Sequence, residues 1–171
     1  MKKPKFKYAL SIDPSINACG YAVHEIKTKE LLDHGLISPN KAIKRKESAQ
    51  SFIEKSRYVL DTITDIMDSY GANSIQLVLE IPDHWGDQGF MARESGSIYK
   101  LTFVCGMICS LSEHIVTYLP REWKGQRKKD VMKRRLGRFL LDEQSSLNVD
   151  EINHNTLDAI QIGRFYIGLK I

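Results

Sequence analysis

Residues 6–23 commit this chain to a strand, a carboxylate and a turn. Phe6, Tyr8, Leu10 and Ile12 alternate with smaller or polar residues, the period of a β-strand with one well-buried face. The strand ends on Asp13. Pro14 and Ser15 turn the chain, and Gly20-Tyr21-Ala22-Val23 opens another β-prone run. A carboxylate at the tip of a first strand, above a turn, is well placed to meet groups from other strand ends. Taken alone, Asp13 reads equally as a plain turn residue, so the remainder of the chain decides.

Strands are predicted over residues 5–12, 18–26 and 31–37, with Lys27-Thr28-Lys29-Glu30 as a polar hairpin connection. Short strands with short connections imply an antiparallel meander. Over residues 48–70 the spacing changes. Phe52, Val59, Leu60, Ile63, Ile66, Met67 and Tyr70 form a helical apolar stripe, which Gly71-Ala72-Asn73 stops. Residues 75–80 are a compact apolar run ending on a second carboxylate, Glu80. Pro82 cannot continue a central strand. Residues 83–89 read as loop, 93–113 as a mostly apolar helix and 114–119 as a fifth strand closed by Pro120. A basic helix over 121–144, in one piece or two, a polar loop over 145–153 and a last, mostly apolar helix over 154–169 complete the chain.

The order β-β-β-α-β-α-β-α-α predicts an α/β fold, a mixed five-stranded sheet flanked by helices on both faces. With 171 residues and 42% apolar content, the chain suits a single domain over 1–171 with a substantial core. The three cysteines, Cys19, Cys105 and Cys109, form no regular framework, which implies reduced thiols and a cytoplasmic setting. Cys105 and Cys109 fall in an apolar run and read as core. The basic start leads into a strand, so no signal peptide is expected. No run of about 18 apolar residues exists, so no membrane partner is expected.

Three acids stand out by position. Asp13 follows strand one, Glu80 ends strand four and Asp158 lies near the start of the last helix. Separately, Glu80 reads as a strand-end surface residue and Asp158 as a first-turn acid favoured by the helix dipole. In a three-layer fold, strands one and four can be neighbours and a covering helix can deliver the third carboxylate. Clustered carboxylates raise each other's pKa unless a cation neutralises them, and Mg²⁺ suits a sparse oxygen site. His154 precedes Asp158 by four residues and shares its helix face, a candidate ligand or general base. Asn155 competes for that position.

The strongest charge signal is residues 118–138. Arg121, Lys124, Arg127, Lys128, Lys129, Lys133, Arg134, Arg135 and Arg138 face only Glu122 and Asp130. Met132, Leu136, Phe139 and Leu140 supply the apolar face, so the cations point outward. Charge of one sign on a helix suits phosphates, with salt-dependent affinity. Trp85 and Phe90 follow Glu80 in a Gly-containing loop, where an aromatic can stack on bases. The candidate DNA contacts are therefore Trp85, Arg121, Trp123, Lys124, Arg127, Lys128, Lys129, Lys133 and Arg134.

This order of carboxylates resembles the RNase H-like nuclease superfamily, and within it Holliday-junction resolvases of the RuvC type, especially phage-encoded forms. The matching pieces are Ser11-Ile12-Asp13-Pro14 with the turn to Ala22, Leu77-Val78-Leu79-Glu80, Tyr118-Leu119-Pro120-Arg121-Glu122-Trp123-Lys124-Gly125, and residues 154–163 containing Asp158-Ala159-Ile160-Gln161-Ile162. The resemblance implies an RNase H-like fold and a homodimer cutting branched DNA: four-way junctions, and also three-way junctions and forks. It implies two Mg²⁺ per active site, with Mn²⁺ as a substitute, in recombination, repair or phage DNA processing in a host cytoplasm. Asp13, Glu80 and Asp158 become metal ligands, with His154 taken as the fourth. Lys124 and one of Lys128 or Lys129 come near the scissile phosphate, and the helix over 93–113 joins the dimer interface. Two departures stand out. The family has Asp or His three residues before its last Asp, where this chain has Asn155, and the Gly-rich loop of cellular resolvases is reduced to Gly125.

Three other readings compete. An actin-like or sugar-kinase ATPase needs two related domains and a second Gly-rich phosphate loop, both missing here. A non-catalytic DNA-binding module would use the basic helix alone. A terminase or transposase nuclease would share the fold and cut other DNA.

Overall fold

The computed structural model describes residues 5–39, 48–83, 94, 96–125, 127, 129–143 and 148–171. Five strands, β1 (Tyr8–Asp13), β2 (Cys19–Glu25), β3 (Leu31–Ile37), β4 (Ile75–Glu80) and β5 (Ile115–Tyr118), form one sheet in the order β3-β2-β1-β4-β5. β1, β2 and β3 pair antiparallel as the short connections require. β4 lies parallel to β1 on one side and to β5 on the other. The expected mixed sheet is therefore present, with the first and fourth strands adjacent.

Helix α1 (Ala49–Tyr70) begins with a capping box. The Ser48 hydroxyl accepts from the Ser51 backbone N–H at 3.0 Å, and the Ser51 hydroxyl accepts from the Ser48 N–H at 3.1 Å. These bonds satisfy two of the backbone donors a helix start leaves unpaired. α1 stops at Gly71 as its sequence implies. Helix α2 (Ser97–Cys109) is shorter than the 93–113 expectation, because residues 110–114 turn the chain into β5. The basic segment divides into α3 (Pro120–Trp123) and α4 (Lys129–Glu143), and the last helix is α5 (His154–Tyr166).

The pleat sorts the strands onto two faces. On the first, Leu10, Ile12, Val23, Leu77 and Leu79 pack against Val59, Ile63 and Met67 of α1 and Val104, Cys105 and Ile108 of α2. Cys19 and Cys105 are buried in this layer as core thiols, and burial pushes each up to about 12. The strand residues that point the other way include the small Ala9, Ser11, Gly20 and Ala22. That second face carries α5 and α4 through Leu136, Leu157, Ala159, Ile160 and Ile162.

Small residues let α5 lie close to the sheet. A β-carbon on Gly20 would come within 2.1 Å of the Asn155 carbonyl oxygen, and one on Gly163 within 2.5 Å of His24 Nδ1. The Ser11 hydroxyl donates to the Ala159 carbonyl at 2.8 Å, and the Thr156 hydroxyl to the Gly35 carbonyl at 2.9 Å. Sheet and helix are thus held in one rotational setting, which determines where Asp158 comes to rest. Among the described residues, no helix is long and apolar enough to cross a membrane.

Candidate active site

The parallel register of β1 and β4 runs from Tyr8 opposite Ile75 to Ile12 opposite Leu79. The next step brings the two strand ends, Asp13 and Glu80, side by side. By pleat parity both belong to the face on which α5 lies. α5 starts at that same end. Asn153 caps it, its side-chain oxygen accepting from the Asn155 N–H at 3.0 Å. The Asn155 side-chain amide donates to the Ala18 carbonyl in the β1–β2 turn. Asp158 follows Asn155 by three residues, so it lies on the same side of α5. Its negative charge acts on Glu80.

Glu80 is the best-defined group of the site. Its side chain is 14% exposed. The Trp123 indole N–H donates to its Oε2 at 2.5 Å, and Lys124 Nζ stands 3.7 Å from that same oxygen. Lys124 in turn lies 4.8 Å from the centre of the Trp123 ring, a cation–π seat. Burial holds the Glu80 carboxyl above its ordinary value. Lys124 and the Trp123 hydrogen bond oppose that rise, and the charge of Asp158 adds to it. No described residue partners Oε1.

Trp123 reaches Glu80 because α3 is a rigid elbow. Pro120 sets its first turn, the Glu122 carboxylate accepts from the Leu119 N–H at 2.6 Å, and the Lys124 N–H closes the turn onto the Pro120 carbonyl at 3.0 Å.

All-carboxylate donors fit a hard divalent cation, and a carboxylate anchored through one oxygen with the other unoccupied fits a metal ligand. The three acids are not gathered around one point, however. Among the described residues, no group of three His, Cys, Asp or Glu side chains is close enough to hold one ion.

The other candidates separate. His154 is exposed at the first position of α5, while Asn155 is engaged by the β1–β2 turn. Trp123 is corrected from a DNA contact: at 2% exposure it is core, and its N–H is already given to Glu80. Arg121 is exposed and stands 3.8 Å from Asp83. Lys133 pairs with Asp150 at 2.9 Å. Arg127 and Arg134 are exposed. Lys129 begins α4. The side chain of Lys129, together with Trp85, Phe90 and Lys128, lies outside the described residues.

A groove of about 630 Å³ runs from Lys124 past Arg121, Arg127 and Arg135 to Phe165 and Lys170. Arg135 and Lys170 line this groove and stand outside the DNA contacts expected from the sequence. Arg135 carries a signal, since it lies three residues after Met132 and beside Leu136, at the border of the apolar stripe. Lys170 carries none.

No family model and no curated protein matches the sequence. Solved structures do match. Thermus thermophilus RuvC in complex with a Holliday junction substrate superposes with a TM-score of 0.65 at 14% identity, over 91% of this chain and 89% of that one. Another Thermus thermophilus RuvC structure gives 0.62 at 15% identity, over 94% and 96%. Likeness across nearly the whole of both chains, with the five-stranded order described above, means that this protein has the RNase H-like fold of RuvC resolvases.

Proposed function

We propose that the protein is a divalent-cation-dependent endonuclease that hydrolyses phosphodiester bonds in branched DNA, four-way junctions above all. The observation that carries this reading is the meeting of Asp13 and Glu80 at adjacent strand ends, with α5 bringing the charge of Asp158 to bear on Glu80. Acids placed at one end of a sheet repel one another, an arrangement that a bound cation would relieve. Asp13, Glu80 and Asp158 would have to turn toward one another to hold Mg²⁺ or Mn²⁺, with exposed His154 as the fourth donor. When bound, two such ions supply activation of a water and neutralisation of the leaving 3′-oxygen.

The protein's own groups do the remainder. Lys124, seated between Glu80 and the Trp123 ring, offsets charge on the scissile phosphate. The cations of the adjoining groove take the DNA backbone. Tyr99 and Phe103, four residues apart on α2, are 70% and 46% exposed. They form one side of a dimer contact between two copies, which would present two active sites to opposing strands. The solved RuvC bound to a junction supports the substrate class by analogy of fold.

The test is cleavage of a synthetic four-way junction with and without Mg²⁺, beside linear duplex, three-way and flap DNA. We expect Mg²⁺-dependent nicking of the junction, abolished by Asp13→Asn. Preferential cutting of linear duplex would favour a terminase- or transposase-type nuclease. Junction binding without cleavage in either Mg²⁺ or Mn²⁺ would leave only a binding module.

A further inference from the structure

We propose that the groove between the β1–β2 turn, the start of α1 and α2 is a second phosphate site, in which Lys55 and Lys100 hold the backbone of the substrate strand beyond the turn that follows Asp13. This rests on the nuclease reading above. The groove measures about 650 Å³, with Asn17, Ser48, Ser51, Phe52 and the two lysines on its walls. Among the described residues that line it there is no acid. Lys55 is 8% exposed, an unusual place for a lysine, while Lys100 is exposed on α2. One cation is thus held within the protein and the other stands at the rim. The walls are fixed. The Ser38 hydroxyl donates to the Asn17 carbonyl at 3.1 Å, and the capping box of Ser48 and Ser51 sets the first turn of α1. The attraction comes from two lysines on separate helices, not from the helix end, whose Ser51 N–H the Ser48 hydroxyl already takes.

Two cations with no facing acid select an anion, and lysines bind phosphate as point charges, without a planar, forked partner. The position selects the source of the phosphate. Asn17 follows Asp13 by four residues, which span at most about 14 Å. At about 3.4 Å of rise per phosphate along one strand, the groove lies within about four phosphates of the bond to be cut. The Lys124 groove belongs to the face of the sheet that carries α5, and this one to the face that carries α1. A DNA strand crossing the carboxylates is therefore held on both sides of the strand ends. Phe52 packs on Phe103 with ring centres 5.4 Å apart, so the groove borders the face given above to the dimer contact.

The experiment compares junction binding across a salt series for the full chain and the double variant Lys55→Met, Lys100→Ala. Met keeps the apolar stem of Lys55 and removes the charge. We expect the salt slope to fall by about two and the affinity at about 0.1 M salt to fall by about tenfold or more. Junctions carrying a single uncharged methylphosphonate are then scanned along the cut strand. The wild type should lose affinity at a phosphate within about four of the cut, and the double variant should lose nothing further at that phosphate. A merely structural role for the lysines would not produce that coincidence. Where Lys55→Met does not fold, Lys100→Ala at its exposed position should by itself lower the slope by about one. An unchanged slope, or a methylphosphonate profile identical in wild type and variant, would overturn the inference. Inorganic phosphate protecting the groove lysines from acylation, beside unchanged junction binding by the variant, would assign the groove to a small free anion and equally overturn it. A wild-type chain that binds the junction but cuts it in neither Mg²⁺ nor Mn²⁺ sinks the nuclease reading instead. The methylphosphonate scan, run over the whole strand, then still decides whether the groove takes DNA phosphate.

Discussion

Gly20 of β2 lies directly beneath the Asn155 carbonyl of α5, with room for a hydrogen and for nothing larger. A β-carbon there would stand 2.1 Å from that oxygen, and both sides of the clash are backbone. Gly20→Val therefore has to lift the start of α5, the segment that carries Asp158. Overpacking of this kind costs about 1–3 kcal/mol, sometimes more, or several degrees in Tm for a chain of this size. We expect junction cleavage to fall further than the reduced amount of folded protein explains. Thermal unfolding and cleavage assayed on the same preparation check it.

Glu80 is ionised at a cost. Its carboxylate is largely buried and stands under the influence of Asp158, with Lys124 as the compensating cation. Glu80→Gln keeps the shape, retains a side-chain oxygen for the Trp123 N–H and removes the charge. The variant should match or exceed the wild-type stability at neutral pH while losing cleavage. Asp13→Asn is expected to lose cleavage likewise. Urea unfolding beside a cleavage assay separates the two effects, and a strongly destabilised Glu80→Gln would contradict this account.

His24 makes the fold acid-sensitive. It is 1% exposed beside Gly163, and among the described residues neither ring nitrogen has a hydrogen-bond partner. Burial, with the charges of Arg164 and His34, pushes its pKa down to about 3. The unfolded chain takes up this proton near the ordinary value of about 6.5, so between the two values the unfolded state binds more protons. Stability from this group is complete above about pH 6.5 and falls as pH drops toward 3, at up to about 1.4 kcal/mol per pH unit. His24→Phe should flatten the pH dependence of the unfolding midpoint across that window. An unchanged slope would mean that other groups govern acid unfolding.

The basic residues of α4 are not equivalent. Arg135 lines the groove that begins at Lys124, whereas Lys133 is paired with Asp150. The double variant Arg135→Glu, Lys170→Glu should weaken junction binding and lower the salt slope by about two, since each neutralised phosphate contributes close to one. Lys133→Ala should change little. Anisotropy titrations of a labelled junction across a salt series measure both, and the reverse ranking would move the DNA path off this groove.

Much of this molecule can be read from the order of its residues. A two-residue period marks strands because the pleat alternates faces, and it located β1; β-prone runs between turns located β2 and β3 and a compact apolar run located β4, each within a few residues. The stripe from Phe52 to Tyr70 did the same for α1. Even the carboxylates at the strand tips are legible, since Asp13 and Glu80 terminate apolar runs. Trp123 is the opposite case. α3 spans four residues, too few for any period to reveal a buried side, and among nine cations of a basic segment an aromatic looks like a stacking surface. Its destination depended on Val78, Met132 and Ile162 meeting it from three separate elements. Lys133 and Arg135 belong to the same basic run, and the positions of Asp150 and of the tail near Lys170 gave each its surroundings. Periodicity is a property of neighbours along the chain, so it travels with the sequence. The partner of a side chain is a property of neighbours in space, and that was decided when α3, α4 and α5 packed together over one face of the sheet.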